Sequence, residues 1–223
     1  MKHQLTPFKT FIQTLDVGNK KIERKKRSKF WIDAMQNNKD VKDCLLSWKN
    51  KDNFYSLSRN DIFKETDDKN KVIEVLFWGY PSLKESEGRN IYDIVNSIIP
   101  ILNAYKKRKI SENDVKSFQN KCTELRLPDG AYSKYLYFFE VHYGNNKPLL
   151  IVDRFLKVGI KVFSDFDNCT DEYLSICDRI NELSVDLGVD PDKLEYFLFM
   201  VGRFLHYQNE DFTQLLNYIV SVR

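Results

Sequence analysis

Apolar residues recur at helical spacing over most of the chain, and short polar clusters separate the runs. Leu5, Phe8, Ile12 and Leu15 predict a short first helix, and Val41, Leu45 and Trp48 share one face of a helix over residues 40–49. Residues 50–61 are polar and predict a turn-rich link. Residues 72–78 fit either a short helix or a strand, ended by Gly79-Tyr80-Pro81-Ser82. Residues 91–105 have a helical pattern that Pro100 should kink or divide. Ser111, with Asp114 three residues on, opens a helix that reaches about Leu125. Pro128-Asp129-Gly130 predicts a tight turn, and residues 131–143 an aromatic-rich helix. After a loop, residues 149–152 form an apolar run and Asp153 opens the next helix. Another helix starts at Thr170 and reaches Leu187. Asp190-Pro191 is an N-cap followed by proline at the first helical position, and that helix carries Leu194, Leu198, Val201 and Leu205. Residues 212–222 predict a closing helix. The fold class expected from this pattern is all-α, with about eight to ten helices.

Composition narrows the class further. A length of 223 residues suits one domain, or two small lobes sharing a cleft. With 42% hydrophobic and 30% charged residues, the chain can bury a core and keep a hydrated surface. No apolar run approaches the roughly 20 residues of a membrane span, and the N-terminus has no continuous apolar stretch of a secretory signal. The expected location is the cytoplasm, in association with the nucleoid. Cys44, Cys122, Cys169 and Cys177 form no CxxC pair, and only His3, His142 and His206 could join them. No metal site and no cofactor is expected, and the thiols read as free.

The net charge of +3 is uninformative, but its distribution is not. Between positions 20 and 29, seven of ten residues are Lys or Arg and one is Glu. Lys106-Lys107-Arg108-Lys109 is a second basic cluster. Such clusters either face solvent or neutralise nucleic-acid phosphates.

The chemistry concentrates between Leu125 and Val158. A helix leads into Leu127-Pro128-Asp129-Gly130, a second helix carries Lys134 in its first turns, and the run Leu149-Leu150-Ile151-Val152 delivers Asp153-Arg154. Asp153 lies nineteen residues after Lys134. A helix start offers unpaired N–H groups, and a glycine turn lets backbone approach a phosphate closely. Pro128, Gly130, Ala131 and Ser133 are therefore the candidate DNA contacts. Tyr132, Leu136, Phe139 and Tyr143 share a face that suits core packing or a base-stacking platform.

This arrangement resembles the helix-hairpin-helix DNA glycosylases, in particular their 8-oxoguanine branch and a compact bacterial group within it. Leu127-Pro128 matches the hairpin opening, Lys134 and Asp153 match the catalytic pair, and Trp78-Gly79 matches an upstream element of the compact group. The chain departs from the pattern in the turn itself. It has Asp129-Gly130-Ala131 in place of Gly-x-Gly, one extra residue before the lysine, and Phe138 where relatives carry a thiol.

The resemblance implies a single two-lobed helical unit over residues 1–223, with a basic extension at 1–30 and the hairpin–Lys–Asp core at 111–163. It implies a DNA N-glycosylase with lyase activity on an oxidised or modified purine such as 8-oxoguanine. Lys134 would form the Schiff base and Asp153 would stabilise the sugar cation. Phe138, Met200 and Phe204 would line the base pocket. The partner would be double-stranded DNA with a modified base, and no membrane. A DNA-binding module without catalysis and a helical interaction protein are the alternatives.

Overall fold

Local signals in the sequence start most of the helices. In the computed structural model, which describes residues 4–24, 28–50, 54–81, 83, 90–144 and 147–208, the chain is mainly α-helical. In chain order the elements are a 3-10 turn (Thr6–Phe8), α1 (Lys9–Thr14), β1 (Ile22–Arg24), α2 (Lys29–Asn37), α3 (Lys39–Ser47), β2 (Tyr55–Leu57), α4 (Arg59–Lys64), α5 (Asp68–Gly79) and α6 (Ile91–Tyr105). They continue with α7 (Glu112–Glu124), α8 (Ala131–Phe138), β3 (His142–Tyr143), β4 (Lys147–Pro148), α9 (Arg154–Ile160), a 3-10 turn (Ser164–Phe166), α10 (Tyr173–Leu187) and α11 (Pro191–Gln208).

The chain divides into two compact units, Gly18–Asn146 and Met1–Val17 with Lys147–Arg223. In the first, α5 packs against α3, α4, α6 and α8, while α7 packs on α8. Residues 71–77 of α5 are all buried, so this segment is a helix wrapped by neighbours rather than a strand. Its apolar run carries no helical stripe because every side meets protein. Capping boxes start α4 at Ser58–Asp61 and α7 at Ser111–Asp114, each supplying reciprocal partners for orphan N–H groups. The Ser58 box turns part of the expected polar link at 50–61 into β2 and α4. β2 pairs antiparallel with β1, which lies inside the basic segment.

Pro100 does not divide α6. It sits on the exposed side of the helix, where water can satisfy the carbonyl that loses its partner, while Ile98 and Leu102 bury the opposite side.

In the second unit, α11 packs on α9, α10 and α1. Phe8, Phe163 and Phe197 form its aromatic centre, with ring centroids 5.2–6.1 Å apart. Asp190 accepts from the Asp192 N–H at 2.8 Å, which caps α11 ahead of its proline as the sequence predicts. The helix expected at 212–222 lies outside the described residues. Among the described residues, no helix is long and apolar enough to cross a membrane.

Candidate active site

The hairpin is built from α7, its terminal turn and α8. Arg126 closes α7 at φ 55°, with its N–H donating to Thr123 O at 2.8 Å and the Leu127 N–H to Cys122 O at 2.9 Å. This is a Schellman end, which points Leu127 inward and turns the chain sharply. Gly130 then takes φ 80° as the N-cap of α8, a conformation a side chain would oppose. The expected helix at 131–143 stops at Phe138 through a second Schellman end. There Glu140 adopts φ 53° and the Val141 N–H donates to Leu136 O at 3.1 Å.

The candidate DNA contacts are arranged inward. Gly130 and Ala131 are buried. Ser133 is fully buried, and its hydroxyl donates to Gly130 O at 2.8 Å. The Gly130 N–H donates to the Asp129 carboxylate at 3.0 Å, so the turn already holds an anion of its own. Pro128 is half-buried, and its carbonyl accepts from the Ala131 N–H.

All eight residues of α8 are buried, Lys134 among them at 5% exposure. Its Nζ lies 3.3 Å from Tyr80 Oη and 5.0 Å from the centre of the Tyr80 ring. The Tyr80 hydroxyl in turn donates to Asp129 O at 3.0 Å, which leaves its oxygen to accept from the amine. Gly79 makes room for this side chain, because a β-carbon there would come within 2.8 Å of Lys134 Cδ. The end of α5 thus positions the lysine, and the Trp31 indole fixes that end by donating to Tyr80 O at 3.1 Å.

One turn along α8, Phe138 is enclosed. Trp78, Tyr137 and Phe63 meet its ring at centroid distances of 5.3, 4.9 and 5.2 Å. Arg59, 4% exposed, lies 5.6 Å over Trp78 and 5.2 Å over Tyr137. Gly79 belongs to the Trp78-Gly79 element of the sequence and Tyr80 follows it directly, but nothing in the sequence marks Arg59.

In the other unit, Asp153 is the N-cap of α9. Its Oδ1 accepts from Phe155 N–H at 3.0 Å and Leu156 N–H at 3.1 Å. The preceding run 149–152 is buried, and Leu150 O accepts from the Tyr173 hydroxyl at 2.8 Å. Met200 and Phe204 are half-buried on α11. The structure therefore groups Lys134, Phe138 and the hairpin in one unit, and Asp153, Met200 and Phe204 in the other.

The basic clusters have partly local roles. Lys106 pairs with Asp68, and Arg108 grips Asp114 at 2.6 and 2.8 Å. Through that contact first, Arg108 holds the Asp114 carboxyl far below its ordinary range. Lys21 lines a groove of about 580 Å³ together with Trp48, Lys49, Lys64, Glu65 and Glu74. Glu74 is 3% exposed, and burial, with Glu65 second, pushes its carboxyl up to about 9.

The hairpin thus delivers a buried lysine, and a helix capped by aspartate follows it in the chain. Residues 16–199 match the model of the family described as "Putative 8-oxoguanine DNA glycosylase OGG-like protein". The chain belongs to that family. No curated protein and no solved structure matches it.

Proposed function

We propose that this chain excises a modified purine, such as 8-oxoguanine, from double-stranded DNA and then cuts the strand as a lyase. The observation that carries the reading is Lys134, buried on the second helix of the hairpin with Nζ on Tyr80 Oη. A lysine at that place has little reason to be buried for stability alone.

The base leaves the stack and enters the site before any bond breaks. Attack of the Lys134 amine, in its neutral form, on C1′ forms the N–C1′ bond as the glycosidic bond breaks, and the departing base takes up the proton that the nitrogen sheds. The Asp153 carboxylate stabilises the positive charge that grows on the sugar. Opening of the sugar ring gives the Schiff base. Loss of the C2′ proton then expels the 3′ phosphate, and water releases the lysine.

Trapping with sodium borohydride on duplexes carrying 8-oxoguanine tests this. A covalent adduct that disappears in Lys134→Ala is the expected result. Asp153→Asn should slow adduct formation by at least about tenfold. Absence of an adduct on every modified duplex, with intact binding, would leave a DNA-binding protein without this chemistry.

A further inference from the structure

α9 and α11 cross with their backbones in contact. A β-carbon on Gly159 would lie 2.0 Å from Leu198 O, and one on Gly202 would lie 1.8 Å from Phe155 O. The outer edge of this rigid pair is aromatic. The Phe155 ring meets Phe199, His206 and Tyr207 at centroid distances of 5.7, 5.3 and 5.7 Å. Tyr207 is 65% exposed, and the Arg154 guanidinium lies 4.6 Å over the Phe155 ring.

The same surface is basic. Arg154 and Lys157 follow at helical spacing along one side of α9, Lys161 caps its end, and Arg203 is exposed on α11. Neither residues 154–161 nor residues 196–208 contain an Asp or Glu. Of the acids that border these stretches in sequence, Asp153 is bound to two N–H groups of α9, Glu195 is 1% exposed, and Glu210 and Asp211 lie outside the described residues. Exposed rings among cations suit one ligand chemistry: flat π-faces strung on a phosphate chain. A closed duplex hides its base faces, whereas an unpaired strand presents them.

We infer that the α9–α11 face binds an unpaired stretch of a DNA strand, with a base stacked on Tyr207 and the flanking phosphates held by Arg154, Lys157 and Arg203. The inference rests on the glycosylase reading in taking DNA as the ligand, since extrusion of a base leaves unpaired nucleotides beside it. This surface is invisible as a basic run because its cations are spread over two helices about forty residues apart.

The test uses the full chain and fluorescence anisotropy with a labelled twelve-nucleotide single strand and the matching blunt duplex, neither carrying a modified base. The single strand should bind more tightly. Tyr207→Ala should weaken single-strand binding about tenfold, and Arg203→Glu should weaken it and flatten its salt dependence. Both positions are exposed, and circular dichroism checks that the variants stay folded. Unchanged single-strand binding in both variants overturns the inference. So does binding to phosphatidylglycerol vesicles that the substitutions abolish while oligonucleotide binding persists. Borohydride trapping runs in parallel. An adduct without Tyr207-dependent binding removes this inference and keeps the glycosylase. Tyr207-dependent binding without an adduct does the reverse.

Discussion

Lys134 occupies the space that Gly79 leaves empty: a β-carbon on Gly79 would stand 2.8 Å from Lys134 Cδ and 3.1 Å from its Cε. The obstacle would be the flexible part of a side chain, not backbone. Gly79→Ala should therefore fold, with the lysine displaced from Tyr80. A shift of about 1 Å at a reacting atom can cost about a hundredfold in rate. The expected outcome is a fall of that order in borohydride trapping, with little change in the thermal midpoint.

Tyr80 links the lysine to the hairpin through one oxygen. Tyr80→Phe keeps the ring over the amine but removes the contacts to Nζ and Asp129 O. A loss of about 1–2 kcal/mol, or roughly tenfold in rate, is expected. Single-turnover kinetics check this. An unchanged rate would mean that the hydroxyl only anchors the turn.

Glu74 makes stability depend on pH. The folded chain keeps its proton up to about 9, whereas an ordinary glutamate, and the unfolded chain with it, loses it near 4.5. The stabilisation is whole below that lower value and is lost as pH rises toward about 9, at up to about 1.4 kcal/mol per pH unit. Glu74→Gln removes this dependence. Urea unfolding at pH 5 and pH 8 should show the variant gaining on the parent as pH rises.

Two backbone positions test the helix ends and crossings. Glu140 holds φ 53°, so Glu140→Gly should stabilise the chain by about 1 kcal/mol. Gly202→Ala should cost at least about 3 kcal/mol, because its β-carbon meets the Phe155 carbonyl and cannot be accommodated by a rotamer change. Chemical denaturation measures both.

Much of this architecture was legible where local chemistry decides it. Ser111 and Asp114 announce α7, Asp190-Pro191 announces α11, and Asp153 caps α9 as its position suggests. The lysine and aspartate stood out by type and spacing. Burial was harder to read. Periodicity assigns Tyr132, Leu136 and Phe139 to one face of α8, yet α5 and α7 help to cover the helix and Lys134 is enclosed as well. A lysine alone predicts exposure, and only Gly79 on another helix explains the room it has. Arg59 gives no signal, because its place over Trp78 and Tyr137 exists only once α4, α5 and α8 have assembled.

The contact between Gly159 and Gly202 has a mechanical consequence. Side chains that interdigitate can yield by changing rotamer, but touching backbones cannot. α9 is only seven residues long and begins at the carboxylate of Asp153. Its position is thus set by residues more than forty places later in the chain. A displacement of α11, from a ligand on its outer face or a substitution along its length, would reach Asp153 as a rigid shift, with no soft layer to absorb it.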